Sequence, residues 1–126
     1  MTKEYCEKDV DVEKNLEERL GAVDQTALLQ VWLLRHRSER PNFDTLPRIT
    51  LNWGMTLSIQ VGRGLYCTPR DEFGPWTHVE IGFPNRKLPS EFGEYTDGTG
   101  DVFAYVPIEM VGKLFYNNGG MKDGVA

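Results

Sequence analysis

The chain has few of the residues on which many functional sites depend. Its 126 residues include only two cysteines, Cys6 and Cys67, and two histidines, His36 and His78. Two cysteines are too few for a disulfide framework or for a zinc site built from cysteines. We therefore expect reduced thiols, as in a cytoplasm.

Long apolar runs are also missing. No stretch of about 18 apolar residues is present, so no membrane-spanning helix is predicted. Residues 1–15 lack the apolar run of a secretory signal, and we expect no such signal. The length fits a single domain over residues 1–126.

Sequence motifs of the common enzyme classes are absent as well. The chain contains no phosphate-binding GxxxxGKS/T, no GxGxxG after a strand, no HExxH and no GxSxG. The net charge of −5 argues against direct nucleic-acid binding, because lysine and arginine must neutralise the phosphates. We expect no cofactor and no metal, and the protein is predicted not to be an enzyme.

Residues 1–40 form an acidic segment with a helical period. Apolar residues spaced four apart predict one apolar helix face: Val12, Leu16 and Leu20. Gly21 suits the end of this helix, and Asp24 suits the N-cap of a second helix that stops at Pro41. The alternative is a buried strand over residues 27–34, because short apolar runs fit either structure.

Residues 48–118 are predicted to form a sheet followed by a helix. Apolar and polar side chains alternate with the period of half-buried strands in four stretches: 49–53, 56–61, 78–83 and 102–106. A helix follows Pro107, a residue favoured at the first helical position. The predicted fold is α+β: one antiparallel sheet of about four strands, with two N-terminal helices and one C-terminal helix packed on one face.

One face of this predicted sheet is polar. Its side chains are Thr50, Asn52, Thr56, Ser58, Gln60, His78 and Glu80. The helices cover the apolar face, so the polar face is open to solvent or to a partner. If Phe103 and Tyr105 also point to this side, they form an apolar centre within a polar rim, which is the usual anatomy of a protein-binding patch.

An acidic loop follows the third strand. Residues 88–112 contain no lysine or arginine, and the loop over residues 91–101 carries Glu91, Glu94, Asp97 and Asp101. The sequence DGTGD at 97–101 lacks the further ligands of a calcium loop at the required spacing, which favours a glycine-rich turn. Acidic groups here would suit a cationic groove on a partner.

Two arrangements with catalytic potential remain as alternatives. His78 and Glu80 are two residues apart on one strand, so both point the same way and could act as acid and base or as two metal ligands. Cys67 could be a nucleophile with His78 as its base. The favoured interpretation is an ordinary polar face and an inert thiol.

Four blocks of the sequence resemble small uncharacterised proteins encoded by bacteriophages and prophages. The blocks are TLSIQ at 56–60, YCTPR at 66–70, THVEIGFP at 77–84 and YVPIEMV at 105–111. The resemblance covers about half of the chain, excludes residues 1–47 and transfers no catalytic residue. It implies a context, since small acidic phage proteins are often inhibitors of host machinery, including anti-CRISPR proteins.

The leading hypothesis is therefore a non-catalytic, phage-type interaction protein in the cytoplasm of a bacterial host cell. It would inhibit a host protein complex, such as a CRISPR effector, through the sheet face and the acidic loop. The predicted partner-binding residues are His78, Glu80, Glu91, Glu94, Asp97, Asp101, Phe103 and Tyr105. An exposed strand edge would allow pairing of two copies, so we expect a monomer or a homodimer.

Two other hypotheses belong to different classes. One is a small-molecule or peptide-binding module, with its pocket between the sheet and the loop 62–75. The other is an enzyme that uses Cys67, His78 and Glu80.

Overall fold

The computed structural model describes residues 7–40 and 44–122, with side chains described from residue 12 onward. Along the chain its helices and strands are α1 (Glu7–Ser38), β1 (Ile49–Thr50), β2 (Thr56–Gln60), β3 (His78–Gly82), a 3-10 helix (Ser90–Tyr95), β4 (Val102–Pro107) and α2 (Ile108–Tyr116). The strands form one antiparallel sheet in the order β1-β2-β3-β4. The predicted α+β class and the four-stranded sheet are confirmed.

The prediction of two N-terminal helices is wrong. A single helix of 32 residues, about 48 Å long, runs through both segments. Gly21 lies inside this helix and does not end it. Close packing explains the glycine, because a Cβ at this position would collide with the ring of Tyr116 in α2. Asp24 is an exposed residue inside the helix rather than a cap. Residues 27–34 are helical, so the alternative of a buried strand is also wrong, and Pro41 lies outside the described residues.

The apolar face of the sheet lies against the two helices. Inward side chains meet across the strands, as at Ile59 opposite Ile81. Leu29 and Leu33 from α1 and Val111 from α2 complete the same buried cluster. The alternation that predicted the strands therefore also identified the core face of β2 and β3.

A β-bulge in β4 changes which side chains reach the core. Val79 pairs with Val106 and Ile81 pairs with Phe103, so two residues of β4 oppose the single residue Glu80 of β3. Phe103 is consequently buried, with its ring edge-on to that of Phe92. The prediction that Phe103 belongs to a partner-binding surface is wrong, because the extra residue returns it to the core face.

The edge of the sheet at β1 is covered by the chain after α2. Leu51 bridges to Met121, the Lys122 amide donates to the Thr50 carbonyl, and the Asn52 amide donates to the Gly120 carbonyl. No strand-to-strand dimer can form on this edge while those bonds are present. Within residues 7–40 and 44–122, no helix is long and apolar enough to cross a membrane.

The crossing of α1 and α2 depends on a close approach at Gly112. A Cβ at this position would collide with the Thr26 hydroxyl and lie 2.7 Å from the Ala22 carbonyl oxygen. Since that oxygen belongs to helix backbone, we expect overpacking in Gly112→Ala to cost about 2–3 kcal/mol, with about 1 kcal/mol returned by helix propensity. The melting temperature should fall by about 5 °C in a calorimetric scan.

Gly93→Ala is the matched control for this prediction. A Cβ at Gly93 meets no atom within 4 Å, so its melting temperature should stay at the wild-type value. Equal melting temperatures for the two variants would show that the helix crossing is not tightly packed at Gly112.

Candidate functional site

The polar face of the sheet holds a depression, here called the polar trough. Its floor is formed by Ser58, Gln60, Glu80 and Gly82, and its volume is about 370 Å³. Its walls come from the segment 44–48, from Leu65 and from Phe83. The trough is therefore bordered by two loops whose positions the sequence pattern did not predict.

Gln60 shows how the first loop is fixed over the sheet. The Leu46 amide donates to Gln60 Oε1 at 2.9 Å, and Gln60 Nε2 donates to the Leu46 carbonyl at 3.0 Å. Gln60 Nε2 also donates to Ser58 Oγ. As a result Gln60 is only 6% exposed although it belongs to the polar row. The polar face is a walled trough and not the flat open surface that alternation suggests.

Opposite charges lie at the two ends of the trough. At one end Arg48 Nη2 donates to Thr56 Oγ1 at 3.0 Å and to the Phe83 carbonyl at 2.7 Å. At the other end a Glu80 carboxylate oxygen accepts the Tyr66 amide at 3.1 Å. Thr56 at the first end and Gln60, which pairs with Glu80, at the second are four residues apart along β2, a separation of about 13 Å. A bound segment could therefore place an acceptor at Arg48 and a donor at Glu80.

Two exposed aromatic residues have strained backbones: Phe83 in the wall of the trough and Tyr105 in the bulge of β4 opposite Glu80. Phe83 has a φ of 47° and is 60% exposed, and Tyr105 has a φ of 54° and is 38% exposed. Bulky residues rarely adopt this left-handed region, which costs about 1–3 kcal/mol and is concentrated at binding and catalytic sites. Tyr105 also packs on the exposed ring of Tyr66, with centroids 5.8 Å apart.

The acidic loop continues from the Phe83 end of the trough. Its four predicted residues, Glu91, Glu94, Asp97 and Asp101, are all exposed. Glu91 and Glu94 lie three apart on the 3-10 helix, so they share one side of it. The Phe83 amide donates to the Asp101 carbonyl at 2.6 Å, which joins this acidic surface to the trough.

Asp97 has a structural role inside that surface. Its carboxylate accepts hydrogen bonds from the Thr99 hydroxyl at 2.8 Å and from the Thr99 amide at 3.1 Å. These bonds hold the pKa of Asp97 below its usual value. The segment 97–101 is therefore a hydrogen-bonded turn with glycines at positive φ, as the sequence favoured.

The structure does not form the Cys67 and His78 dyad. The Cys67 thiol is fully buried, where it accepts the Gly62 amide and lies 3.3 Å from the Gly62 carbonyl oxygen. Burial raises the pKa of this thiol. His78 Nδ1 instead contacts the Thr77 hydroxyl at 2.8 Å. In the described parts of the chain, no three His, Cys, Asp or Glu side chains are placed to hold a metal ion.

A larger cavity of about 520 Å³ lies between the segment 84–90 and the acidic loop. Arg86 borders it, but its guanidinium donates to the Trp53 carbonyl. The hydroxyls of Thr96 and Thr99 are bonded within their own turn. Both ends of the polar trough, in contrast, carry a charged side chain that is held in place by a hydrogen bond, so the polar trough is the stronger candidate site.

No family model, curated protein or solved structure matches this chain. The resemblance to phage-encoded proteins stays a prediction.

The buried thiol gives a direct test of the enzyme hypothesis. In a Cys6→Ser variant, which leaves Cys67 as the remaining thiol, iodoacetamide at neutral pH should react at least about 100-fold more slowly than after denaturation, because burial both blocks the sulfur and raises its pKa. Mass spectrometry of the alkylated protein over time measures both rates. Fast alkylation of the native protein would instead restore Cys67 as a candidate nucleophile.

Proposed function

We propose that this protein is a non-catalytic interaction protein that binds a protein partner at the polar trough. The observation that carries the proposal is the pair of strained, exposed aromatic residues, Phe83 and Tyr105, beside a walled polar floor. Their backbone conformation is costly for folding, and such strain is retained where it serves a site. Tyrosine and arginine, present here as Tyr66, Tyr105 and Arg48, are also enriched among binding hot spots.

The acidic surface next to the trough favours a partner with a basic face. Glu91, Glu94 and Asp101 make no ion pair with any described residue, so their charge is available to a partner. Charge complementarity of this kind speeds encounter and selects partners. A host protein complex with a cationic groove for nucleic acid, such as a CRISPR effector, is the proposed target, and the protein would inhibit it by occupying that groove.

Gly82→Val tests the trough without disturbing the sheet. Gly82 lies in β3 with ordinary strand backbone, and a Cβ there would make normal contact with Ser58 at 3.5 Å. Valine suits a strand, so the melting temperature should not fall. Its methyl groups would fill the trough floor, and we expect the affinity for the partner to drop at least about tenfold, or 1.4 kcal/mol.

The partner for this test comes from capture by the tagged protein in lysate of a bacterium that carries CRISPR systems, followed by mass spectrometry. Binding of the purified partner is then compared by calorimetry for wild type, Gly82→Val and the control Asn117→Ala, an exposed position after α2 that lies outside both the trough and the acidic loop. Equal affinity of all three proteins would exclude the trough as the binding surface.

A charge reversal tests the acidic surface separately. Glu91→Lys combined with Glu94→Lys should weaken binding and reduce its dependence on salt, because both carboxylates are exposed and face the same side. Association rates at two salt concentrations give the readout. An unchanged rate and salt dependence would remove the acidic loop from the proposed interface while leaving the trough in place.

A small-molecule or peptide ligand is the second candidate. The trough volume of about 370 Å³ lies within the range of ligand pockets, roughly 300–1,000 Å³. Leu65, a residue of the loop 62–75, lines the trough, which supports this hypothesis. A metabolite or peptide that raises the melting temperature of wild type but not of Gly82→Val would favour this function.

A further inference from the structure

Helix α1 carries a second apolar face that packs against nothing in the described chain. Its core face contributes Leu29 and Leu33, which are fully buried. On another face large apolar side chains remain exposed: Val12 56%, Leu16 50%, Leu20 64%, Val23 63%, Val31 45% and Leu34 37%. With the exposed Ala27, these residues are here called the apolar stripe.

The spacing of the stripe is that of a helix-pairing surface. Its seven residues follow one another at steps of 4, 4, 3, 4, 4 and 3, so the pattern repeats every 11 residues from Val12 to Val23 to Leu34. At 3.6 residues per turn all seven fall within an arc of about 100°. An 11-residue repeat is close to the period of a straight helix, so the stripe runs nearly parallel to the axis of α1.

Part of the stripe lies beyond the support of α2. The last residue of α2, Tyr116, reaches α1 at Gly21, and Lys113 reaches it at Glu18. Residues 12–17 are all exposed. Helices in water are stabilised chiefly by packing of an amphipathic face, and this part of α1 has no such packing among the described residues of one copy.

We propose that α1 pairs with α1 of a second copy, antiparallel and about a twofold axis near Val23. In this register Val23 meets its own copy, and Val12 meets Leu34 of the other chain. Leu16 meets Val31, and Leu20 meets Ala27. Every member of the stripe thus finds an apolar partner, as a self-complementary interface requires.

The surface beside Ala27 fits this register. A groove of about 410 Å³ runs along α1 here, lined by Ala22, Val23, Thr26, Ala27, Gln30 and Glu109. Several of these side chains are small, which lets a second helix approach closely. The large side chain of Leu20 from the other copy lies opposite Ala27 and fills the groove.

Charges beside the stripe favour the antiparallel orientation. Glu13 and Arg35 are exposed, lie on the same flank of the stripe, and make no ion pair with any described residue. A twofold axis brings each flank against the same flank of the other helix. Glu13 of one copy therefore faces Arg35 of the other, twice in the dimer, whereas a parallel pair keeps them about 33 Å apart.

The size of the stripe points to a weak, reversible dimer. From Val12 to Leu34 it is about 33 Å long, and with a contact about 10 Å wide each copy contributes on the order of 350 Å². The two stripes and the flanking side chains together bury roughly 1,000 Å², at the low end for specific interfaces. We expect a dissociation constant on the order of 10 μM.

Sedimentation velocity of the full chain from about 1 to 200 μM tests the dimer. The weight-average mass should rise from one chain towards two. Leu20→Gln combined with Val23→Gln should weaken the dimer at least tenfold with no loss of melting temperature, because both side chains are exposed and glutamine favours helices. Phe73→Gln, which removes an exposed apolar side chain outside the stripe, is the control and should dimerise like wild type.

A charge exchange tests the orientation. Glu13→Arg alone and Arg35→Glu alone should each weaken the dimer, and the double variant should restore it. Asp24→Asn should strengthen the dimer, because Asp24 lies on the same flank beside the twofold axis and faces its own copy. A monomer at 200 μM, or a dimer insensitive to the stripe variant, would overturn the proposal. Failure of the double variant to recover would overturn the antiparallel arrangement.

Discussion

The buried guanidinium of Arg37 is the interaction on which the candidate site depends. Arg37 is 2% exposed at the end of α1, and it donates to the Val61 carbonyl at 3.0 Å and to the Asp44 carbonyl at 2.8 Å. Its Nε lies 3.5 Å from the Glu72 carboxylate. One side chain thus joins the first helix to the end of β2 and to both loops around the polar trough. Breaking such a pair leaves a buried charge, at a cost of about 3–5 kcal/mol.

Local periodicity predicted the parts of the fold that depend on neighbouring residues. The alternation in 56–60 and 78–82 identified both central strands and their buried face. It failed where distant residues decide the outcome. Gly21 looked like a helix end because its contact with Tyr116 is not visible in the sequence. Phe103 was assigned to the wrong face because alternation assumes an unbroken ladder, and the bulge beside Glu80 breaks it.

The candidate site could likewise be predicted where it depends on residues close in sequence, and not where it depends on distant ones. The polar side chains of the floor could be predicted from the strands, and the acidic residues lie exposed on the loop whose composition marked it as acidic. The walls could not be predicted, because they depend on hydrogen bonds between the Gln60 side chain and the backbone of Leu46, 14 residues earlier in the chain. Nor does any local pattern mark Phe83 as strained, and its bond to the Asp101 carbonyl joins it to a residue distant in the sequence.

The covering of the sheet edges affects how the protein behaves when it is damaged. Beside β1, residues 118–122 occupy the main-chain groups of an edge that would otherwise accept another strand. On the other side, Thr96 bridges to Phe103 and the Tyr66 carbonyl accepts the Tyr105 amide. Proteolytic loss of 118–122 would expose Leu51 and an unpaired edge, a template for amyloid-like stacking. Residues 118–122 therefore help to protect the fold from aggregation by covering this edge.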